Sequence, residues 1–368
     1  MEFASNFAII WAGASKRLVG RPVVFSSVWL RGAVVFSILS VVGFERPGTS
    51  SAVADSLPSP IMVDMLVATN PRCDVDAMAN ETLQPGPEFL EITVSIPPSS
   101  NRVPGEVQWS QQFPPNPASD FVLIKRESVN RKSAETWLHK SVNKNAGRSV
   151  ILFVHPLENS IENAAFRFAQ IIHDSRVATT PLLATWPSHQ MLLGAERDRD
   201  CANSARSALR LLIQRMLLNP GVNEFSILTH STGNQAVIDA LNQIAVRSGA
   251  VPPKLTNVVL LTSGDLDSNT FLSQIADMGE PRPRVTIFIL REDKKAIGSS
   301  EGDDVVPPGS VDLESKMAVQ TATNVTVIDL AKLRSGDRLN HGKFAGAPEI
   351  VKLFGDQFTA GQVLWDDR

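Results

Sequence analysis

Ser231 is the residue of this 368-residue chain best placed to act as a nucleophile. It lies in Glu224-Phe-Ser-Ile-Leu-Thr-His-Ser-Thr-Gly-Asn-Gln-Ala-Val237, an apolar strand pattern that meets a sharp turn and leaves at once as a helix pattern. A serine at the apex of such an elbow holds its hydroxyl at the edge of a sheet, where a base can reach it. Gly233, two residues on, is the position that lets the helix pass close to the strand. Ser-x-Gly alone carries little weight, since about two chance occurrences are expected in a chain of this length. The two occurrences are at Ser231 and Ser300, and only Ser231 sits between a strand pattern and a helix pattern. Thr229 departs from the usual motif, which has a small residue there.

A serine hydroxyl reacts only when a neighbouring base takes its proton and a third group orients that base. In triads built on α/β sheets the partners follow in the order serine, acid, histidine. Five histidines (His139, His155, His173, His189 and His230) precede Ser231, and only His341 follows it. His341 falls in the loop Ser335-Gly-Asp-Arg-Leu-Asn-His-Gly-Lys343, after the last predicted strand. Asp293, Asp265 and Asp267 all follow strand ends, where catalytic groups gather in open α/β sheets. Asp293 is the preferred acid, because the next strand leads directly into the histidine loop. Asp265 and Asp267 stand as alternatives, with Asp267 also reading as a helix cap. An oxyanion hole requires backbone donors. Thr232 supplies one, and Leu157 the other, since Pro156 has no N–H. His155 reads as a structural loop histidine. Trp186, at a strand end, is a candidate pocket residue and equally a packing one.

Alternating elements must hold these groups. Ile61–Thr69 and Phe89–Ile96 read as strands, followed by an irregular proline-rich covering loop from Pro97 to Pro117. From residue 148 strands alternate with helices. The continuous apolar run Ser149–Val154 is expected of a strand buried on both faces. Asn159 with Glu162 resembles a capping box opening a helix to about Asp174. Strands follow at Pro181–Thr185, 224–230, Asn257–Leu261, Val285–Leu290 and Val325–Leu330. A long helix ending near Asn219 carries Ala205, Leu209, Leu212 and Met216 on one face. This pattern predicts an α/β class fold with a mostly parallel central sheet and helices on both faces.

Composition agrees with a globular chain: 43% hydrophobic and 20% charged residues. A net charge of −3 gives no electrostatic reason to expect nucleic acid. Dinucleotide, phosphate-loop and zinc-helix motifs are absent, and no cofactor or metal is implied. Cys73 and Cys201 are too few for a disulfide framework; they pair in an oxidising compartment or remain buried thiols. Residues 1–54 differ in kind. Lys16, Arg17, Arg21 and Arg31 precede the apolar run Gly32–Phe44, and Ala52-Val53-Ala54 offers a small-x-small cleavage pattern. The 13-residue run suits a signal peptide better than an ordinary span, with an N-terminal membrane anchor as the alternative. Export, or anchoring in a bacterial inner membrane, is therefore expected. A single domain over 55–368 follows, with strands and covering loop over 60–147 and the βαβ core over 148–368.

The chain resembles bacterial α/β-hydrolases of the esterase/lipase superfamily that are classed as a family of unknown function. The resemblance runs from about Met65 to Gln357. It rests on Met65-Leu-Val-Ala-Thr-Asn70, Val94–Pro98, Pro104–Trp109, Phe153-Val-His155 with Asn159-Ser160, and Thr185-Trp-Pro-Ser188. It continues through His230-Ser-Thr-Gly-Asn234, Gly264-Asp-Leu-Asp267, the Asp293 region and His341. It implies an alpha/beta-hydrolase fold with Ser231, Asp293 and His341 as the triad of an esterase-like enzyme acting on a small-molecule ester or acyl substrate. Members often carry export signals or lipid anchors, and no cysteine here lies near a cleavage site. The chain departs at His155-Pro156-Leu157, where the family has His-Gly-Tyr. It departs again at Thr232, where the family has Met, and at Ser263-Gly264-Asp265, where it has Ala-Pro-Asp. An altered oxyanion loop leaves open a second reading: a weak or inactive binding protein of the cell envelope. On either reading the N-terminal segment offers a route to membrane association.

Overall fold

The computed structural model describes residues 59–70, 87–155, 160–185, 195–262, 268–289, 324–330 and 348–359. All belong to the unit Ser56–Arg368. The segment 1–54, Cys73, and the side chain of Cys201 lie outside the described residues. Among the described residues, no helix is long and apolar enough to cross a membrane.

Among the described residues, nine strands form one sheet: β1 (Ile61–Thr69), β2 (Glu88–Ile96), β3 (Val122–Val129), β4 (Ser149–Val154), β5 (Thr180–Thr185), β6 (Glu224–His230), β7 (Leu255–Thr262), β8 (Arg284–Ile289) and β9 (Val325–Asp329). Their spatial order is β3-β2-β1-β5-β4-β6-β7-β8-β9. β2 pairs antiparallel with both β1 and β3, and the remaining pairings are parallel, so only β2 runs against the rest. The helices among the described residues are α1 (Arg131–Val142), α2 (Ile161–Ser175), α3 (Ala195–Leu218), α4 (Thr232–Ser248), α5 (Ser268–Ala276) and α6 (Pro348–Thr359).

Side-chain alternation builds two cores, one on each face of the sheet. On β4, Val150, Leu152 and Val154 join the core beneath α1, α3, α4 and α5. Ile151 and Phe153 on the same strand join the opposite core, with α2 and α6. The alternation repeats on β7, where Val258 and Leu260 face the first core and Val259 and Leu261 the second. Central strands buried on both sides leave no polar face, so they read in sequence as unbroken apolar runs. Ala205, Leu209, Leu212 and Met216 of α3 all point into the first core, as their spacing predicts.

Two elements differ from the sequence reading. β3 and α1 occupy 122–142, which the sequence analysis left without strand or helix. β3 is an edge strand with Lys125, Arg126 and Glu127 along it and mostly exposed or half-buried side chains, so it carries little apolar signal. α1 is capped by Asn130, whose side chain accepts from the Ser133 amide at 2.9 Å. Helix α2 is capped by Ser160 rather than Asn159: the Ser160 Oγ accepts from the Asn163 amide at 3.1 Å. The expected box was out by one residue, although Glu162 still lies in the first turn, where the helix dipole favours a carboxylate.

The proline-rich loop is irregular apart from one 3-10 turn at Ser99–Asn101. A buried charge cluster fixes it to α2. The Arg102 guanidinium donates both Nη groups to Asp174, the Gly105 amide donates to Asp174 Oδ2 at 2.7 Å, and Gln170 Nε2 donates to the same oxygen at 3.1 Å. Arg102 also lies over the Phe121 ring, 5.6 Å from its centroid. Burial alone would raise the Asp174 carboxyl's pKa. The bonds from His173, Arg102, Gly105 and Gln170 outweigh burial and hold it well below the usual carboxylate range.

Candidate functional site

The order of the sheet creates one crevice of the kind that binds ligands in α/β folds. From β4 the chain passes through α2 to β5 on one side, while β6 on the other side leads through α4 to β7. Helices after β4 and β6 therefore lie on opposite faces, and a gap opens between the carboxyl ends of these two strands. Ser231 stands at that gap.

Ser231 joins β6 directly to α4 with φ 52° and ψ −124°. A positive φ of this kind is costly for a residue with a Cβ and persists only where the surroundings enforce it. Leu261, at the end of neighbouring β7, enforces it here. Its carbonyl accepts from the Ser231 amide at 3.0 Å and from Asn234 Nδ2 at 2.8 Å. The Asn234 amide in turn donates to the Ser231 carbonyl at 2.8 Å. The elbow is thus tied at both its entry and its first helical turn to one carbonyl. Asn234 is buried. Its place in the motif does not by itself disclose this role. The available signal was its polar amide three residues after the serine, on the face of α4 turned toward the sheet.

Gly233 closes the other side. A Cβ built on it would lie 2.7 Å from Thr229 Oγ1, 3.0 Å from the Val154 carbonyl oxygen and 3.2 Å from Val154 Cγ1. Helix α4 therefore packs against the end of β4 at a distance only glycine permits. Thr229, the unusual residue of the motif, is wholly buried, and its side chain fills the space beneath the elbow.

Ser231 is half-buried and Thr232 exposed, so both open toward solvent at the strand ends. His155 follows β4 and is fully buried. Its Nε2 lies 2.6 Å from Thr185 Oγ1 at the end of adjacent β5, which agrees with a structural role. Leu157, Trp186, Asp265, Asp267, Asp293 and His341 lie outside the described residues. The strands that precede them in sequence (β4, β5, β7, β8 and β9) are mutually parallel with β6, so all end on the edge that carries Ser231. Among the described residues, no group of histidine, cysteine and carboxylate side chains is arranged to hold a metal.

A mostly parallel sheet with helices on both faces and a strained serine elbow at its switch point defines the alpha/beta hydrolase class. The chain belongs to the family described as alpha/beta hydrolase of unknown function (DUF900), which matches residues 130–357. No curated protein matches the sequence. Among solved structures, the chain is similar to a protein titled a cell surface hydrolase from Lactobacillus plantarum WCFS1. They share 13% identity at a TM-score of 0.32, covering 58% of this chain and 91% of that one. It is also similar to carboxyl esterase 2 from the mycorrhizal fungus Tuber melanosporum, at 10% identity and a TM-score of 0.39, covering 85% and 90% of the two chains. At these scores neither relative bears on what this chain acts upon.

Proposed function

We propose that this alpha/beta hydrolase is a serine hydrolase of the carboxylesterase type, working through an acyl-enzyme on Ser231. One observation carries the reading: a non-glycine residue held at φ 52° where a strand turns directly into a helix. Such strain is kept where it serves a site, and here it presents a hydroxyl at the sheet's switch point. In the proposed reaction Ser231 Oγ attacks the ester carbonyl while His341 takes its proton. His341 then protonates the departing alcohol, and water releases the acid by the reverse sequence. Asp293 orients His341. The Thr232 amide, at the N-terminus of α4, and the Leu157 amide stabilise the oxyanion. Residues 1–54 direct export or anchor the protein.

A fluorophosphonate probe tests the reading, because it forms a stable bond only with an activated serine. Labelling of the purified protein that disappears in Ser231→Ala supports it. Absence of labelling under conditions that label a known esterase refutes it and leaves a binding protein of the same fold.

A further inference from the structure

Among the described residues, eight large apolar side chains are exposed, and six of them belong to one corner of the sheet. Ile61 and Met62 open β1, Ile124 lies on β3, and Val103, Trp109 and Phe113 lie on the proline-rich loop. Register brings these segments together. Ile61 is paired with Ile96, where the loop leaves β2, and Val122, where it enters β3, is paired with Ser95. The Phe121 amide donates to the Gln108 carbonyl at 2.9 Å, which sets Trp109 beside the start of β3. Trp109 also packs on Phe166 of α2, with ring centroids 5.5 Å apart. Phe113, farther along the loop, is 96% exposed. An aromatic ring left so bare is unfavourable in water, and apolar groups clustered in this way mark a surface for a partner or a membrane.

The loop holds Phe113 out by its own hydrogen bonds. The Asn116 carbonyl accepts from the Ser119 and Asp120 amides at 3.0 and 2.8 Å. The Asn116 amide donates to Asp120 Oδ2 at 2.8 Å, the Ala118 amide to Asn116 Oδ1 at 3.1 Å, and the Gln112 amide to Ser110 Oγ at 3.2 Å. Pro114, Pro115 and Pro117 have no N–H. From Gln112 to Phe121, every amide position but Phe113 is thus paired within the loop or closed by proline. Backbone can enter an apolar phase only on that condition, because each unpaired donor is costly there. The tip is also uncharged: none of residues 107–118 is ionisable. Arg102 is committed to Asp174, and Asp120 turns back onto Asn116 and Ser119. Such a tip offers a protein partner no charge and almost no free backbone donor to read. Trp and Phe on an uncharged, internally bonded turn suit the interfacial zone of a bilayer. Covalent continuity points the same way, since residues 45–60 join β1 to the apolar run at 32–44.

We propose that the turn at 109–113 docks this protein on a phospholipid bilayer, with Phe113 inserted below the headgroups and Trp109 at the interface. This docking is separate from the Ser231 elbow and does not depend on the esterase reading. The test uses the full chain with phosphatidylcholine vesicles carrying a diazirine phospholipid, the photoadducts being located by tryptic peptide mass spectrometry. Adducts are expected on the peptide 103–125, which cleavage after Arg102 and Lys125 releases. Yield on this peptide reports the turn itself, whatever residues 1–54 do. Phe113→Ser is expected to lower it about tenfold, and Phe113→Asp to abolish it, since burial of the ring drives insertion. Phe113 is almost wholly exposed, so both variants keep the fold. The yield is expected to be the same at about 0.1 M and about 1 M salt, because an uncharged tip has nothing to screen. Adducts confined to residues 1–54, equal yields on 103–125 in all three proteins, or loss of the adducts at high salt would overturn the proposal. So would a dimer, formed without vesicles, that Phe113→Asp dissociates, since the turn would then belong to a contact with a second copy of this chain. Fluorophosphonate labelling of Ser231 is indifferent to all of these outcomes, so the two readings fail separately.

Discussion

Replacing Ser231 by glycine and by alanine separates backbone strain from side-chain chemistry. Both variants lose the hydroxyl, and both keep the amide bond to the Leu261 carbonyl at 3.0 Å. Alanine retains a Cβ at φ 52° and ψ −124°, and so keeps the conformational cost, about 1–3 kcal/mol for a residue held in so sparsely populated a region. Glycine pays almost none of it, because that region is open to a residue without a Cβ. Glycine does enlarge the unfolded ensemble, a loss of about 0.4–1 kcal/mol. The balance favours Ser231→Gly over Ser231→Ala by about 1 kcal/mol, reversing the usual ranking of the two residues. In a domain of this size that is a rise in Tm of about 2 °C or a little more. Urea unfolding followed by circular dichroism, with the slope compared between variants, measures the difference directly. A glycine variant less stable than the alanine variant by about 0.5–1 kcal/mol would show that the elbow is unstrained. A functional role for the Ser231 elbow would then lack its physical basis.

Two further outcomes follow from the packing. Gly233→Ala puts a methyl 2.7 Å from Thr229 Oγ1 and 3.0 Å from the Val154 carbonyl oxygen, so the helix must move off the sheet. A loss of about 1–3 kcal/mol is expected from urea unfolding. Adding Thr229→Ala is expected to recover only part, because the Val154 carbonyl stays. Asp174→Asn leaves Arg102 buried without its charge partner, and a loss of about 3 kcal/mol is expected by the same measurement. The wild-type carboxylate has a depressed folded-state pKa, so its contribution is fully present above the ordinary Asp value near 4. It is lost as pH falls below that value toward the folded pKa. The gap between wild type and Asp174→Asn is therefore expected to narrow on acidification below about pH 4 and to stay constant from pH 5 to 7. A gap independent of pH down to strongly acidic conditions would contradict the assignment.

Legibility in the sequence tracked burial. β4 and β7 are buried on both faces, and such strands appear as short unbroken apolar runs bounded by polar and turn residues. β3, exposed along an edge and rich in charge, gave no pattern to read, and α1, which follows it in sequence, has few buried positions. The cap of α2 was misplaced by one because Asn159 and Ser160 are both good cap residues, and only the hydrogen bond to the Asn163 amide distinguishes them. The clasp between Arg102 and Asp174 spans 72 residues, and no local rule predicts a pairing at such a distance.

The chain's order of elements determined that Ser231 would sit between a strand and a helix, with Gly233 beside it, because period and residue type are local properties. Only the tertiary structure decided the rest. The strain at Ser231 exists because Leu261, thirty residues later, offers its carbonyl to both Ser231 and Asn234. Gly233 is obligatory because β4, nearly eighty residues earlier, lies 3.0 Å from where a methyl would be. Both constraints come from strands brought alongside β6 by crossovers. A sequence motif can name the elbow, but its geometry belongs to the sheet.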